Sequence, residues 1–187
     1  MKIHMTTNNI LFRPALATAL LLLVPFSAKI YADLPWSLFD FLVAGALLFG
    51  AGLTYELIAR KASGKLYRVA VAIAVLTALM LVWVNLAVGI IGSEQNPANL
   101  MYLGVLAVGV IGALIARFRP HGMARSLFAT AVAQMLVPVI ALIVWRPGVT
   151  VEPPGVLGFF VLNLIFALLF IGSALLFRRA DRPLKRS

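Results

Sequence analysis

Four side chains place hydrogen-bonding groups inside otherwise apolar stretches: Asp40, Asn85, Gln134 and Asn163. Polar groups at membrane depth are costly, so each asks for a partner or a function. Gln134 and Asn163 lie about eight residues into their stretches, entered from opposite ends. At about 1.5 Å of rise per residue both come close to the middle of a bilayer. Two amides at one depth on antiparallel neighbours can hydrogen-bond each other. Pro138 has no N–H, and its ring crowds the carbonyl four residues back, which belongs to Gln134. The group reads either as a substrate or ion site beside a broken helix or as an interhelical clamp of about 0.6–2 kcal/mol. The absence of a charge at that depth favours the clamp.

A second polar group gathers near the outer face, on other stretches. Asp40 stands about one turn into its stretch and Asn85 about two turns from the end of its own. The segment Ser93-Glu94-Gln95-Asn96-Pro97-Ala98-Asn99 follows, with Tyr102 one turn further. Glu94, Asn96, Asn99 and Tyr102 form a candidate outer-face cluster. It reads as a small vestibule for a cation or a docking patch, or else as a capped, solvated hairpin. In the hairpin reading Asn96-Pro97 makes the turn, Asn99 caps the next helix, and Asp40 snorkels or bonds Asn85. Glu56 and Arg60 are spaced i, i+4 in the order that favours a helical ion pair, with Lys65 and Arg68 as alternative partners.

Little else can do chemistry. The histidines are His4 and His121, both outside the apolar stretches, and there is no Cys. Zinc or haem ligation on the usual side chains is not expected. No G-x-S-x-G, H-E-x-x-H or phosphate-cradling Gly-Lys-Ser/Thr loop occurs. The expectation is no catalytic residue, no metal and no cofactor, and a protein that is not an enzyme.

The elements that must position these residues follow from composition. Of 187 residues, 63% are hydrophobic and 12% charged, far from the balance of an ordinary soluble domain. Crossing a bilayer takes about 20 mostly apolar residues. Six segments qualify: 12–28, 37–59, 68–91, 99–118, 126–145 and 155–177. Short connections rich in Pro, Gly, Asn and Asp separate them. The reading is one all-α, polytopic membrane helical bundle over 1–187. Small residues at four-residue spacing, Ala46 with Gly50, Ala74 with Ala78 and Ala129 with Ala133, mark helix-packing faces.

The charges orient this bundle. The net charge is +10. Fourteen of the 16 Lys and Arg residues fall on one side, among them Lys2, Arg13, Arg60, Lys61, Arg117, Arg119, Arg125, Arg178 and Arg179; Lys29 and Arg146 fall on the other. The positive-inside rule then puts both termini in the cytoplasm. Anionic headgroups of the cytoplasmic leaflet account for the basic face, so nucleic acid is not expected as a partner. Trp36 and Trp145, with Tyr31 and Tyr102, fall at the outer boundary as an aromatic belt, and Tyr67 at the inner one. A signal peptide cleaved after Ala32 is the alternative for the first segment; an uncleaved span is the expectation.

The stretches Ser37-Leu38-Phe39-Asp40-Phe41, Thr54-Tyr55-Glu56-Leu57, Trp83 through Gly92, Asn96-Pro97-Ala98-Asn99 and Ala116-Arg117-Phe118-Arg119-Pro120 carry a resemblance. Over roughly the second to fifth spans the chain resembles a group of small, uncharacterised multi-span bacterial inner-membrane proteins. The resemblance implies a bacterial inner-membrane setting and transfers no activity or ligand residue. Two functions are expected from the sequence. One is a non-enzymatic membrane component acting through helix packing, as a homo-oligomer or with another membrane protein. The other is a small-solute or ion carrier or channel using the midplane and outer-face polar residues.

Overall fold

The computed structural model describes residues 4–31, 35–61, 64–92, 95–144 and 155–181. Outside them lie Glu94, the cleavage position at Ala32, Trp145, Arg146, Lys2 and the basic tail beyond Asp181. The described residues are 88% helical, with no strand among them. That is the outcome lipid imposes, since a helix satisfies its own backbone. Among the described residues six helices are long and apolar enough to cross a membrane, the fourth counted together with the 3-10 turn that leads into it. They are α1 (His4–Tyr31), α2 (Leu38–Ala59), α3 (Lys65–Ala87), α4 (Met101–Ile115), α5 (Pro120–Val144) and α6 (Gly155–Ala180), with a 3-10 turn, Pro97–Leu100, leading into α4.

The helix ends have local causes. Ser37 and Asp40 close a capping box at the start of α2. Pro120 opens α5, where its fixed φ suits the first helical position and its missing N–H is not needed. The Arg119-Pro120-His121-Gly122 stretch, read from sequence as a connection, is therefore helix from Pro120 on. At the other end of that link α4 stops in a Schellman motif. The Phe118 N–H reaches the Ala113 carbonyl at 3.1 Å and the Arg117 N–H reaches that of Leu114 at 3.0 Å. Arg117 has φ 49° and Phe118 φ 60°, left-handed values that Gly normally supplies there. α3 ends earlier than the apolar run suggests, because Gly89 and Gly92 take φ 68° and 70° and turn the chain.

The chain divides into two compact units, Met1–Lys61 and Ala62–Ser187. In the first, α1 packs on α2. Gly52 admits Pro14, whose Cβ lies 3.0 Å from where a Cβ on residue 52 would stand. Phe41 meets Trp36 edge-on at 5.3 Å and Phe26 at 6.3 Å, and the Lys29 ammonium stands 5.7 Å from the Phe41 ring centre. Lys29 Nζ also donates to the Trp36 carbonyl. Aromatic rings with a snorkelling cation are what a membrane boundary favours.

In the second unit α6 packs on both α3 and α5, and α4 packs on α5. The α4–α5 contact is close because Gly112 has no side chain. A Cβ there would overlap the Ser126 hydroxyl and lie 2.8 Å from Ser126 Cβ. Ser126 Oγ uses the proximity to donate to the Gly109 carbonyl at 2.9 Å. Across α3 and α6, Ser173 Oγ donates to the Ala70 carbonyl at 2.7 Å. Nearby, the rings of Tyr67 and Phe177 pack edge to face at 5.1 Å. Tyr67 is thus core and not boundary belt. Its ring is buried and its hydroxyl donates to the Phe118 carbonyl at 2.8 Å, a partner the linear sequence does not show.

Candidate functional site

The deepest polar cluster of the second unit joins three helices. Gln134 and Asn163 are each 0% exposed. Gln134 Nε2 donates to Asn163 Oδ1 at 2.9 Å, and the Tyr102 hydroxyl donates to the same oxygen at 3.1 Å. A carboxamide oxygen has two lone pairs, so Asn163 Oδ1 is filled. Asn163 Nδ2 donates to the Phe159 carbonyl one turn back, at 2.9 Å. Gln134 lies ten residues before the end of α5 and Asn163 eight residues into α6. That is about 12–15 Å of helix, near half a bilayer core. Two amides and a phenol can hold a solute by hydrogen bonds. The amides cannot exchange protons with it. One acceptor is left over: Gln134 Oε1 is buried with no hydrogen-bond donor.

Tyr102 departs from its sequence reading. It was expected at the outer boundary with Glu94, Asn96 and Asn99, yet it is 1% exposed and bonded inward. The 3-10 turn before α4 is the reason. It starts the helical rise at Pro97 and sets Tyr102 within the packed bundle, where a phenol needs an acceptor.

Asn99 likewise faces in. Its Oδ1 accepts the N–H groups of Ile90 and Ile91 at 3.1 and 2.9 Å, so it holds the Gly89–Gly92 turn and does not cap α4. Asn85 Nδ2 donates to the Asn99 carbonyl at 3.2 Å, and Asn85 Oδ1 is a second buried oxygen without a donor. Asn96 does the capping, its Oδ1 accepting from the Ala98 N–H at 3.0 Å. Glu94 lies outside the described residues.

Asp40 belongs to the first unit, at its exposed helix start. Its Oδ2 accepts from both the backbone N–H and the hydroxyl of Ser37, each at 2.7 Å, and the Ser37 hydroxyl accepts the Asp40 N–H at 3.2 Å. Asp40 is thus a cap. The Ser37-x-x-Asp40 spacing carried that signal. At the other end of α2, Glu56 pairs with Arg60 at 3.3 Å and also with Arg13 of α1 at 3.7 Å. Arg13 was not among the expected partners, because only packing of α1 on α2 brings it there. Among the described residues no three His, Asp or Glu side chains gather.

The fold and these sites define a multi-span α-helical membrane protein. No family model, curated protein or solved structure matches the chain.

Proposed function

We propose that this chain is a multi-pass protein of a bacterial inner membrane, with both termini in the cytoplasm. In this reading it is a non-enzymatic component that works through helix packing and protein partners. The sealing of Gln134 and Asn163 carries the reading. Their shared bond closes α5 onto α6 in the manner of a clamp, so the midplane amides are engaged in holding the bundle. The lopsided placement of Lys and Arg supports the orientation. Partner contact is supported by α2, where Ala46 and Gly50 are both exposed and a Cβ on residue 50 would meet nothing within 4 Å.

The chain has no Cys, so Gly50→Cys creates a unique thiol. Oxidation in native membranes is expected to give a crosslinked dimer or a defined adduct. A lone monomer in lipid by native mass spectrometry, with no crosslink and no copurifying protein, overturns the partner reading. A reporter fused after Ser187 is expected to be active in the cytoplasm, and periplasmic activity overturns the orientation.

A second reading, a small-solute or ion carrier, is favoured by the leftover acceptor Gln134 Oε1. It predicts flux in liposomes that falls in Asp40→Asn and Gln134→Leu. Equal flux in wild type and both variants removes these residues from transport.

A further inference from the structure

At the end of the second unit where α5 begins and α6 finishes, a groove of about 280 Å³ is lined by His121, Ala124, Arg125, Phe128 and Arg178. Two features of its walls conflict unless something joins them. Arg125 and Arg178 both line this one small space, and neither has a carboxylate partner among the described residues. Asp181, near this end, faces His121 instead, with Oδ2 3.7 Å from Nδ1, an ion pair only when the imidazole is protonated. The first turn of α5 adds no acidic residue. Like charges converging without a counter-ion repel, and an anion relieves them.

The rest of the groove is apolar. Ala124 and Phe128 line it, and an exposed stripe continues down α5 at helical spacing. Val132 is 62% exposed, Leu136 51% and Ile143 71%. The complementary ligand is therefore amphipathic, with an anionic head and a hydrocarbon chain. The groove is slightly smaller than the usual range of about 300–1,000 Å³ for pockets that enclose a small molecule. It suits a headgroup whose chains stay outside. Arg prefers phosphate oxygens because its planar fork donates two parallel hydrogen bonds.

We propose that this groove binds one anionic phospholipid, its phosphodiester between Arg125 and Arg178 and an acyl chain along Phe128, Val132 and Leu136. The inference rests on the multi-span reading but not on the orientation or on any partner.

The test uses the full chain in bilayer discs and in detergent. Native mass spectrometry and thermal melting are followed with phosphatidylglycerol, with phosphatidylcholine of the same chains, and with inorganic phosphate. Wild type is expected to retain phosphatidylglycerol at about tenfold lower concentration than phosphatidylcholine, with a rise in melting temperature that inorganic phosphate does not reproduce. The Arg125→Gln/Arg178→Gln pair is expected to lose that preference. Arg125→Lys/Arg178→Lys keeps most of it, and Arg179→Gln, outside the groove, keeps all of it. If the glutamine pair does not fold, the single variants are read in its place, each expected to lose part of the preference. Equal retention of the two lipids, or a preference unchanged in the glutamine variants, overturns the proposal. So does protection by inorganic phosphate equal to that by lipid. A chain that fails to enter discs overturns the multi-span reading with it.

Discussion

The phenol of Tyr102 and the carboxamide of Asn163 share a hydrogen bond of 3.1 Å although 61 residues separate them in the chain. The bond ties the start of α4 to α6, and the Asn163 oxygen that accepts it also accepts from Gln134 on α5. Three helices thus meet at one oxygen atom, so the two amides of this cluster are not energetically equivalent.

Asn163→Leu removes the shared acceptor and strands two buried donors, the Tyr102 hydroxyl and Gln134 Nε2. Gln134→Leu removes one bond but also the buried oxygen that has no donor. Leaving buried groups unpaired costs about 1–3 kcal/mol each, whereas losing a pair costs little. Asn163→Leu is expected to destabilise by about 2–4 kcal/mol and Gln134→Leu by less than about 1 kcal/mol. Reversible unfolding in mixed micelles measures both, and the reverse order would contradict the assigned bonding.

The α4–α5 contact predicts opposite effects for two glycines on one helix. Gly112→Ala forces a methyl onto Ser126 and is expected to cost about 1–3 kcal/mol by overpacking. Gly104→Ala meets nothing within 4 Å and is expected to gain about 0.5–1 kcal/mol from helix propensity. Ser126→Gly is expected to rescue much of the Gly112→Ala loss, as read by the same unfolding midpoints.

Arg117 occupies a left-handed position with φ 49°. Arg117→Gly relieves the Cβ strain there and is expected to raise stability by about 0.5–1 kcal/mol. Arg117→Val is expected to lower it, because a β-branched side chain tolerates positive φ worst. Thermal melts of the two variants would move in opposite directions from wild type.

Asn99→Leu frees the Ile90 and Ile91 N–H groups inside a buried turn. The expected loss is about 2–4 kcal/mol, with faster amide hydrogen exchange at those two residues. Asn99→Asp retains an acceptor oxygen and is expected to keep the slow exchange at both. Exchange at Ile90 and Ile91 that does not change in Asn99→Leu would remove Asn99 from its role in holding the turn.

The six helices are legible in the sequence because lipid leaves one solution for a long apolar run. The Gln134–Asn163 bond is legible for a similar reason, since residue counts convert to depth when helices cross a slab of fixed thickness. Depth says nothing of rotation about the helix axis. Tyr102 therefore read as boundary belt until packing turned it inward, and Asn99 read as a helix cap until the Gly89–Gly92 turn closed over it. The capping role of Asp40 escaped the sequence reading for another reason. Its spacing from Ser37 encodes a capping box, but an acid in an apolar run draws attention to the lipid first. Arg13 and the Arg125–Arg178 groove depend on which helices become neighbours, which neither hydropathy nor charge counting fixes.

The two asparagine-centred arrangements also differ in when they can form during synthesis. Asn99 meets Ile90, Ile91 and Asn85 within 14 residues of itself, so that hairpin can close once α4 has left the ribosome. The Tyr102 hydroxyl must wait 61 residues for Asn163, about 3–12 s at ordinary elongation rates. In that interval a nascent chain of four and then five spans holds a phenol whose acceptor does not yet exist. Arrival of α6 supplies it, and with it the one oxygen at which α4 and α5 are both held.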